Sequence, residues 1–199
     1  MARRTQRELD QDILRSISSI VLEQGVSGVN FKEVSKRART EMSVLARRFK
    51  DESGMIRYYT QQFDYFINDA LAVPSETSCF SNSLEYFRLL ATQFEKALHH
   101  NKEMQEIMKW ELLVNSKTTR QSARKREVTL SQLLDSITAP ISEEKVNPNA
   151  LLAVLVAGLY YLTLREERST FCGLEFHTKK GRNLLVDTLV TVIEAFLKE

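Results

Sequence analysis

Residues 34–51 read VSKRARTEMSVLARRFKD, and the fold turns on this stretch. Val34, Ala38 and Leu45 are spaced to form a small apolar core between two short helices. Ser35 is small enough for the helices to cross closely, and Phe49 closes the bottom. Between them Arg39 and Thr40 occupy a tight turn, and the second helix carries Arg47, Arg48 and then Lys50. The pattern predicts a helix-turn-helix whose second helix turns Met42, Ser43, Val44, Arg47 and Arg48 outward or partly outward. Such a helix enters the DNA major groove with its N-terminal residues against the base edges. Arginine suits that work because its fork bonds guanine O6 and N7 together, and Val44 has the character to meet a thymine methyl. A helical hairpin with a solvated basic face is the other reading of the same residues.

The remainder of the chain bounds the choice. Its 199 residues suffice for one large domain or two small ones, and 43% hydrophobic with 27% charged residues is a globular composition. Glycine and proline number only 6 and 3, alternating strand patterns are scarce, and apolar residues recur at helical spacing. An all-α fold is therefore expected. Charge is uneven: residues 1–50 hold 11 Lys and Arg against 6 Asp and Glu, while residues 51–199 hold 17 against 20. A basic head on a mildly acidic body suits a nucleic-acid-binding N-terminal domain. Cys79 and Cys172 fit neither a metal pair nor a disulfide framework. No signal sequence follows the N-terminus, and the apolar run 150–164 falls short of the roughly 20 residues of a spanning helix. A cytoplasmic protein without a membrane segment is the expectation.

Helix punctuation is clear. Thr5 and Glu8 form a capping box, Leu9, Ile13, Ile17, Ile20 and Val21 line one face, and Gly25 stops the helix. Asn30 with Glu33 marks the second helix, from about Phe31 to Ala38. The third runs from Thr40 or Glu41 to Phe49. Asp51 caps a longer fourth, expected to reach about residue 72 with Ile56, Tyr59, Phe63, Phe66 and Ile67 facing inward. The polar stretch 73–83 is the best boundary. Further helices are expected near 83–100, 102–114, 117–138, 149–166 and 180–198.

From about Asp12 to Ile56 the chain resembles the N-terminal domain of tetracycline-repressor (TetR) family regulators. VLEQG stands for the end of the family's first helix, VNFKEVSKRA for the second, and RTEMSVLARRFKDESGMI for the recognition helix and the start of the fourth. The framework agrees at Val34, Ala38, Leu45 and Phe49. Several residues depart from it: Arg39 stands at the usual glycine, Ala46 at a phosphate-contacting tyrosine, and Glu52 at a lysine of similar role. Glu41 replaces the serine that caps the recognition helix, a task Thr40 is expected to assume. Arg39, Arg47, Arg48 and Lys50 are the compensating cations, so DNA contact is expected at Arg39, Thr40, Met42, Ser43, Val44, Arg47, Arg48 and Lys50. Arg3, Arg4 and Arg7 form either an arm reaching phosphates or the minor groove, or a solvated terminus.

The resemblance implies a DNA-binding domain at 1–50, a connecting helix at 51–72, and a body at 73–199 that binds a small ligand and makes a homodimer. For the pocket, Phe87, Phe94, Trp110, Tyr160 and Tyr161 are the candidates. Two helices apolar around most of their circumference are expected at the dimer interface, through Leu155, Leu159, Leu162, Leu185, Leu189, Val192 and Phe196. Gly158 is expected to let helices approach, and central core helices of a monomer are the alternative. No cofactor or metal is expected: His99 and His100 are adjacent and diverge on a helix, and His177 stands alone. The basic run 117–127 reads as the wet face of an amphipathic helix. Hydrolase, nucleotide-binding and zinc-protease motifs are absent, so an enzyme is not expected. The expected function is a ligand-responsive repressor binding a roughly palindromic duplex as a homodimer. An all-α interaction module that has lost DNA binding is the alternative.

Overall fold

The computed structural model describes residues 5–64, 66–71 and 83–197. Arg3, Arg4, Cys79 and the expected boundary at 73–82 lie outside the described residues. The chain is all-α. The helices are α1 (Gln6–Gln24), α2 (Phe31–Arg37), α3 (Met42–Phe49), α4 (Glu52–Thr60), α5 (Phe66–Ala70), α6 (Ser83–His100), α7 (Lys102–Leu113), α8 (Lys117–Thr138), α9 (Pro148–Leu164) and α10 (Lys179–Ala195). No helix among the described residues is long and apolar enough to cross a membrane.

Caps set most of the boundaries. The Thr5 hydroxyl accepts from the Glu8 N–H while the Glu8 carboxylate accepts from the Thr5 N–H at 2.7 Å, which completes the capping box. Gly25 ends α1 at φ 74°. Asn30, Asp51, Asn101, Asn147 and Thr178 each cap the next helix with a side-chain oxygen.

Two compact units emerge, Met1–Tyr65 with Asn101–Arg126, and Phe66–His100 with Glu127–Glu199. In the first, Ile13, Ile17, Ile20 and Val21 of α1 are fully buried against Val34, Ala38, Leu45 and Met55. Each such side chain contributes about 1.5–3 kcal/mol by leaving water. Ile107 and Trp110 of α7 join this same core, a packing that chain order alone does not signal. Burial, with the nearby Glu103 carboxylate, pushes the Tyr59 phenol well above its ordinary range. In the second unit Ile141, Leu152 and Ile193 form a core with Phe87, Leu155 and Phe196 packed on it.

One expected element differs. The fourth helix stops at Thr60, a 3-10 turn follows at Gln61–Phe63, and α5 begins at Phe66. Tyr58, Tyr59 and Thr60 are aromatic or β-branched and favour continuation weakly. The break places the Asp64 carboxylate, 8% exposed, on the Lys125 ammonium. Tyr59 and Phe66 are buried as expected, whereas Ile56 and Phe63 are only half-buried and the Ile67 side chain lies outside the described residues.

Candidate nucleic-acid interface

The turn between α2 and α3 is a Schellman closure. The Thr40 N–H donates to the Ser35 carbonyl at 3.0 Å, and the Arg39 N–H to the Lys36 carbonyl at 3.4 Å. This geometry requires a left-handed residue after the helix end, and Arg39 takes it at φ 50°. Glycine adopts that conformation freely, whereas a side chain costs about 1–2 kcal/mol there. The turn thus holds an arginine in a left-handed conformation that glycine takes freely.

Glu41, not Thr40, is the N-cap of α3, and neither residue supplies a side-chain cap. The Thr40 N–H is spent on Ser35, which fixes Thr40 in the turn rather than at the helix start. Ser43 instead donates to the Glu41 carboxylate at 3.0 Å. Beyond the cap Met42 is 53% exposed, Ser43 and Arg47 are exposed, and Val44 is half-buried. On the inner face Leu45 is fully buried and Phe49 is 8% exposed. The amphipathic division read in the sequence therefore holds at these positions. Lys50 is exposed, ends the helix at φ 69°, and donates its N–H to the Ala46 carbonyl at 2.9 Å.

The two arginines divide. Arg47 projects into solvent, but Arg48 is tied to α1: its Nη2 donates to Asp10 Oδ2 at 2.6 Å, and Nη1 lies 2.6 Å from Oδ1. Its guanidinium also sits 5.4 Å from the Phe49 ring centroid and 5.8 Å from that of Tyr58. Asp10 was not legible as its partner, since 38 residues separate the two. Glu52 likewise has work inside the fold, accepting from the Phe31 N–H at the start of α2 at 2.9 Å. It satisfies one of the donors that a helix start leaves open. Ala46 is exposed and adds no polar contact.

Arg37 locks the end of α2 to α1. Its two terminal nitrogens donate to the Glu23 oxygens at 2.7 and 2.8 Å, and Nη1 also donates to the Ser19 hydroxyl at 2.6 Å. The Arg37 hydrogen bonds, and after them one from the Ser19 hydroxyl to Glu23, lower the Glu23 pKa from 4.5 to about 2. A carboxylate with a depressed folded pKa stabilises the fold above its ordinary value and loses that as pH falls through the folded one. Glu23→Gln should thus lower the thermal midpoint at neutral pH, with the gap to wild type closing between 4.5 and about 2. A gap of constant size across that window would rule out the linkage.

The pocket candidates fall in both units. Phe94 is buried between Tyr160, 5.5 Å away by ring centroids, and Phe66 at 6.4 Å. Phe87 packs on the Ile141 cluster, Trp110 belongs to the core of the first unit, and Tyr161 is 54% exposed under Arg165. An aromatic's place on its helix leaves open which neighbour it meets. The second unit also holds a buried polar cluster. His99 Nδ1 lies 2.9 Å from both Glu166 oxygens, and Arg182 Nε lies 3.0 Å from Glu95 Oε1. Burial pushes the Glu95 carboxyl up against the opposing pull of Arg182 and His99.

Of the residues expected at a dimer interface, Leu159 and Leu189 are buried within the chain itself, 3% and 8% exposed. Leu155 and Phe196 pack on the same core, and Leu162, Leu185 and Val192 are half-buried. The exposed strip of α9 consists of Ala150, Ala153, Val154, Ala157 and Tyr161, with Val154 70% exposed. A methyl added at Gly158 would meet nothing within 4 Å, so no helix of the same chain approaches there among the described residues.

The all-α fold, with a helix-turn-helix in its first unit, is similar to that of solved TetR-family transcription regulators. A TetR family regulator from Marinobacter aquaeolei superimposes with a TM-score of 0.64 at 14% identity, covering 97% of each chain. The fatty acid degradation regulator FadR from Bacillus halodurans gives 0.67 at 13% identity over 96% of each. AibR, in complex with isovaleryl coenzyme A and operator DNA, gives 0.65 at 12%, covering 94% of this chain and 97% of that one. No family model matches the chain, and no curated protein matches it in sequence. The likeness is one of fold.

Proposed function

We propose that the protein is a transcription repressor that binds a roughly palindromic duplex as a homodimer and is released by a small ligand. The observation that carries this is the exposed edge of α3, where Met42, Ser43 and Arg47 stand clear on a helix anchored by Leu45 and Phe49. Residues 1–50 bind DNA, 51–72 connect, and 73–199 regulate and dimerise. The protein acts in the cytoplasm and is not an enzyme. Base contact falls to Met42, Ser43, Val44 and Arg47, and phosphate contact to Arg39, Thr40 and Lys50. Arg48 positions α3 through Asp10. AibR is a protein of this fold described with both an operator and an acyl coenzyme A, which supports DNA and a small ligand as partners. The outward strip of α9, with Leu184 of α10 at 43% exposure, is the apolar surface offered to a second copy. Ligand in the body moves the connecting segment and changes the separation of two recognition helices, which must match grooves about 34–36 Å apart.

Selection from random duplexes with the purified dimer should enrich an inverted repeat with half-sites one helical turn apart or a multiple of it. If a folded dimer enriches no sequence at moderate salt, the all-α interaction module is the correct reading instead. The engagement of Glu52 within the fold and the bare Ala46 would then be its marks.

A further inference from the structure

A cleft opens on the first unit beside the helix-turn-helix. Asp12, Arg15, Ser16 and Ser19 of α1, Arg37 at the end of α2, and Arg39 in the turn line it. Three guanidinium groups thus face one lining carboxylate. Most of the polar groups are engaged with one another. Arg15 pairs with Asp12, Arg37 with Glu23, and the Ser19 hydroxyl donates to Glu23 at 2.7 Å. The Ser16 hydroxyl donates to the Asp12 carbonyl at 2.7 Å. The Arg39 guanidinium has no carboxylate partner among the described residues, is exposed, and rises from a backbone held at φ 50°. A residue kept in an unfavourable backbone conformation with an unpaired charge marks a site where strain serves function.

We infer that this cleft seats a backbone phosphate of the bound duplex, with Arg39 as the principal donor and Arg15 beside it. The inference rests on the DNA-binding reading given above. The occupant is a phosphodiester of DNA rather than a free anion. An open, exposed cleft holds a lone phosphate weakly, because water competes for every donor. A duplex already seated on α3 presents its phosphates at high effective concentration. The site supplies the positive charge that Ala46 and Glu52 do not, and it draws that charge from α1 and the turn rather than from α3 and α4.

The Schellman turn provides a substitution that separates charge from fold. Glycine is the residue this position favours, so Arg39→Gly removes the cation while relieving the turn. The thermal midpoint should rise by about 2–8 °C, the size of shift one relieved left-handed residue gives in a chain of this length. DNA affinity should move the opposite way. Binding to the enriched operator and to an unrelated duplex should fall by a similar factor, roughly tenfold at about 50 mM salt, because a phosphate contact carries no sequence information. The plot of log affinity against log salt should become shallower by about 0.9 for each phosphate no longer neutralised. Arg39→Lys should restore most of the slope, and Arg15→Gln should reduce it with little change in sequence preference. Wild-type affinity and slope in Arg39→Gly would overturn the inference while leaving the DNA-binding reading intact. So would a loss confined to the operator, which would make Arg39 a base reader. Millimolar inorganic phosphate that raises the wild-type midpoint but not that of Arg39→Gly, with an unchanged DNA slope, would assign the cleft to a free anion and overturn it as well. A wild-type protein that binds no duplex overturns both readings together.

Discussion

Gly54→Ala should unfold the chain at a much lower temperature than wild type, although it adds one methyl group. Gly54 is the third residue of α4, and its N–H donates to the Asp51 side chain at 2.7 Å, closing the cap. A Cβ built there falls 2.1 Å from the Phe49 carbonyl oxygen and 3.3 Å from the carbonyl carbon. The obstacle is backbone, so no rotamer change relieves it. Either α4 moves off the end of α3 or the Asp51 cap breaks. Phe49 and Met55 belong to the same core, so movement here also unpacks Leu45 and Ile17. Overpacking of this kind costs about 3 kcal/mol, the upper end for a small-to-large change. For a chain of this length that lowers the midpoint by about 6–12 °C. Thermal unfolding followed by circular dichroism gives the answer directly. A shift under about 2 °C would mean that α3 and α4 separate freely, and the rigid junction described here would be wrong.

That glycine also shows where sequence reasoning stops. The helices were legible because their signals are local. Thr5, Asn30 and Asp51 are capping residues ahead of apolar periodicity, and α6 and α8 begin and end where the spacing says they do. The core of the helix-turn-helix was legible for the same reason, as Val34, Ala38 and Leu45 repeat at helical intervals and are all fully buried. Which distant groups meet was not legible. Asp10 finds Arg48, Glu52 finds the start of α2, and Ile107 and Trp110 join a core built from α1 to α4. No spacing rule encodes a contact between residues dozens of positions apart. The neighbours of the body's aromatics were no more legible. Trp110 and Phe94 are both large and apolar in the sequence, yet one joins the first core and the other packs at a tilt against Tyr160 in the second unit. The outward surface of α9 was hidden because a helix apolar all round gives no phase. Leu159 turns inward, and the small residues Ala153 and Ala157 turn out.

Arg47→Ala and Arg48→Ala, adjacent on α3 and alike in the sequence, should have opposite consequences. Arg47 is exposed on the edge that carries Met42 and Ser43, so its removal leaves the fold untouched and the midpoint within about 1–2 °C of wild type. A bidentate arginine–guanine pair is worth about 1–3 kcal/mol of discrimination. A dimer loses one such pair at each half-site, so operator affinity should drop about 30-fold or more, and affinity for unrelated duplex far less. Arg48→Ala instead strands Asp10, whose side chain is 25% exposed and whose Oδ1 is buried. Removing one partner of a fully buried pair costs about 3–5 kcal/mol, and solvent access at Asp10 reduces this to about 1–2 kcal/mol. The midpoint should fall by about 2–8 °C. Asp10→Asn should produce a similar fall, and Asp10→Ala combined with Arg48→Ala should recover part of it by removing the stranded charge. Operator preference in the Arg48→Ala protein, measured well below its midpoint, should keep the wild-type sequence even where affinity is reduced. If that variant unfolds like wild type but no longer distinguishes the operator, Arg48 leaves Asp10 to read bases when DNA arrives. The Asp10 pair would then be a resting position of the reader, and Arg47 would be no more than a neighbour to it.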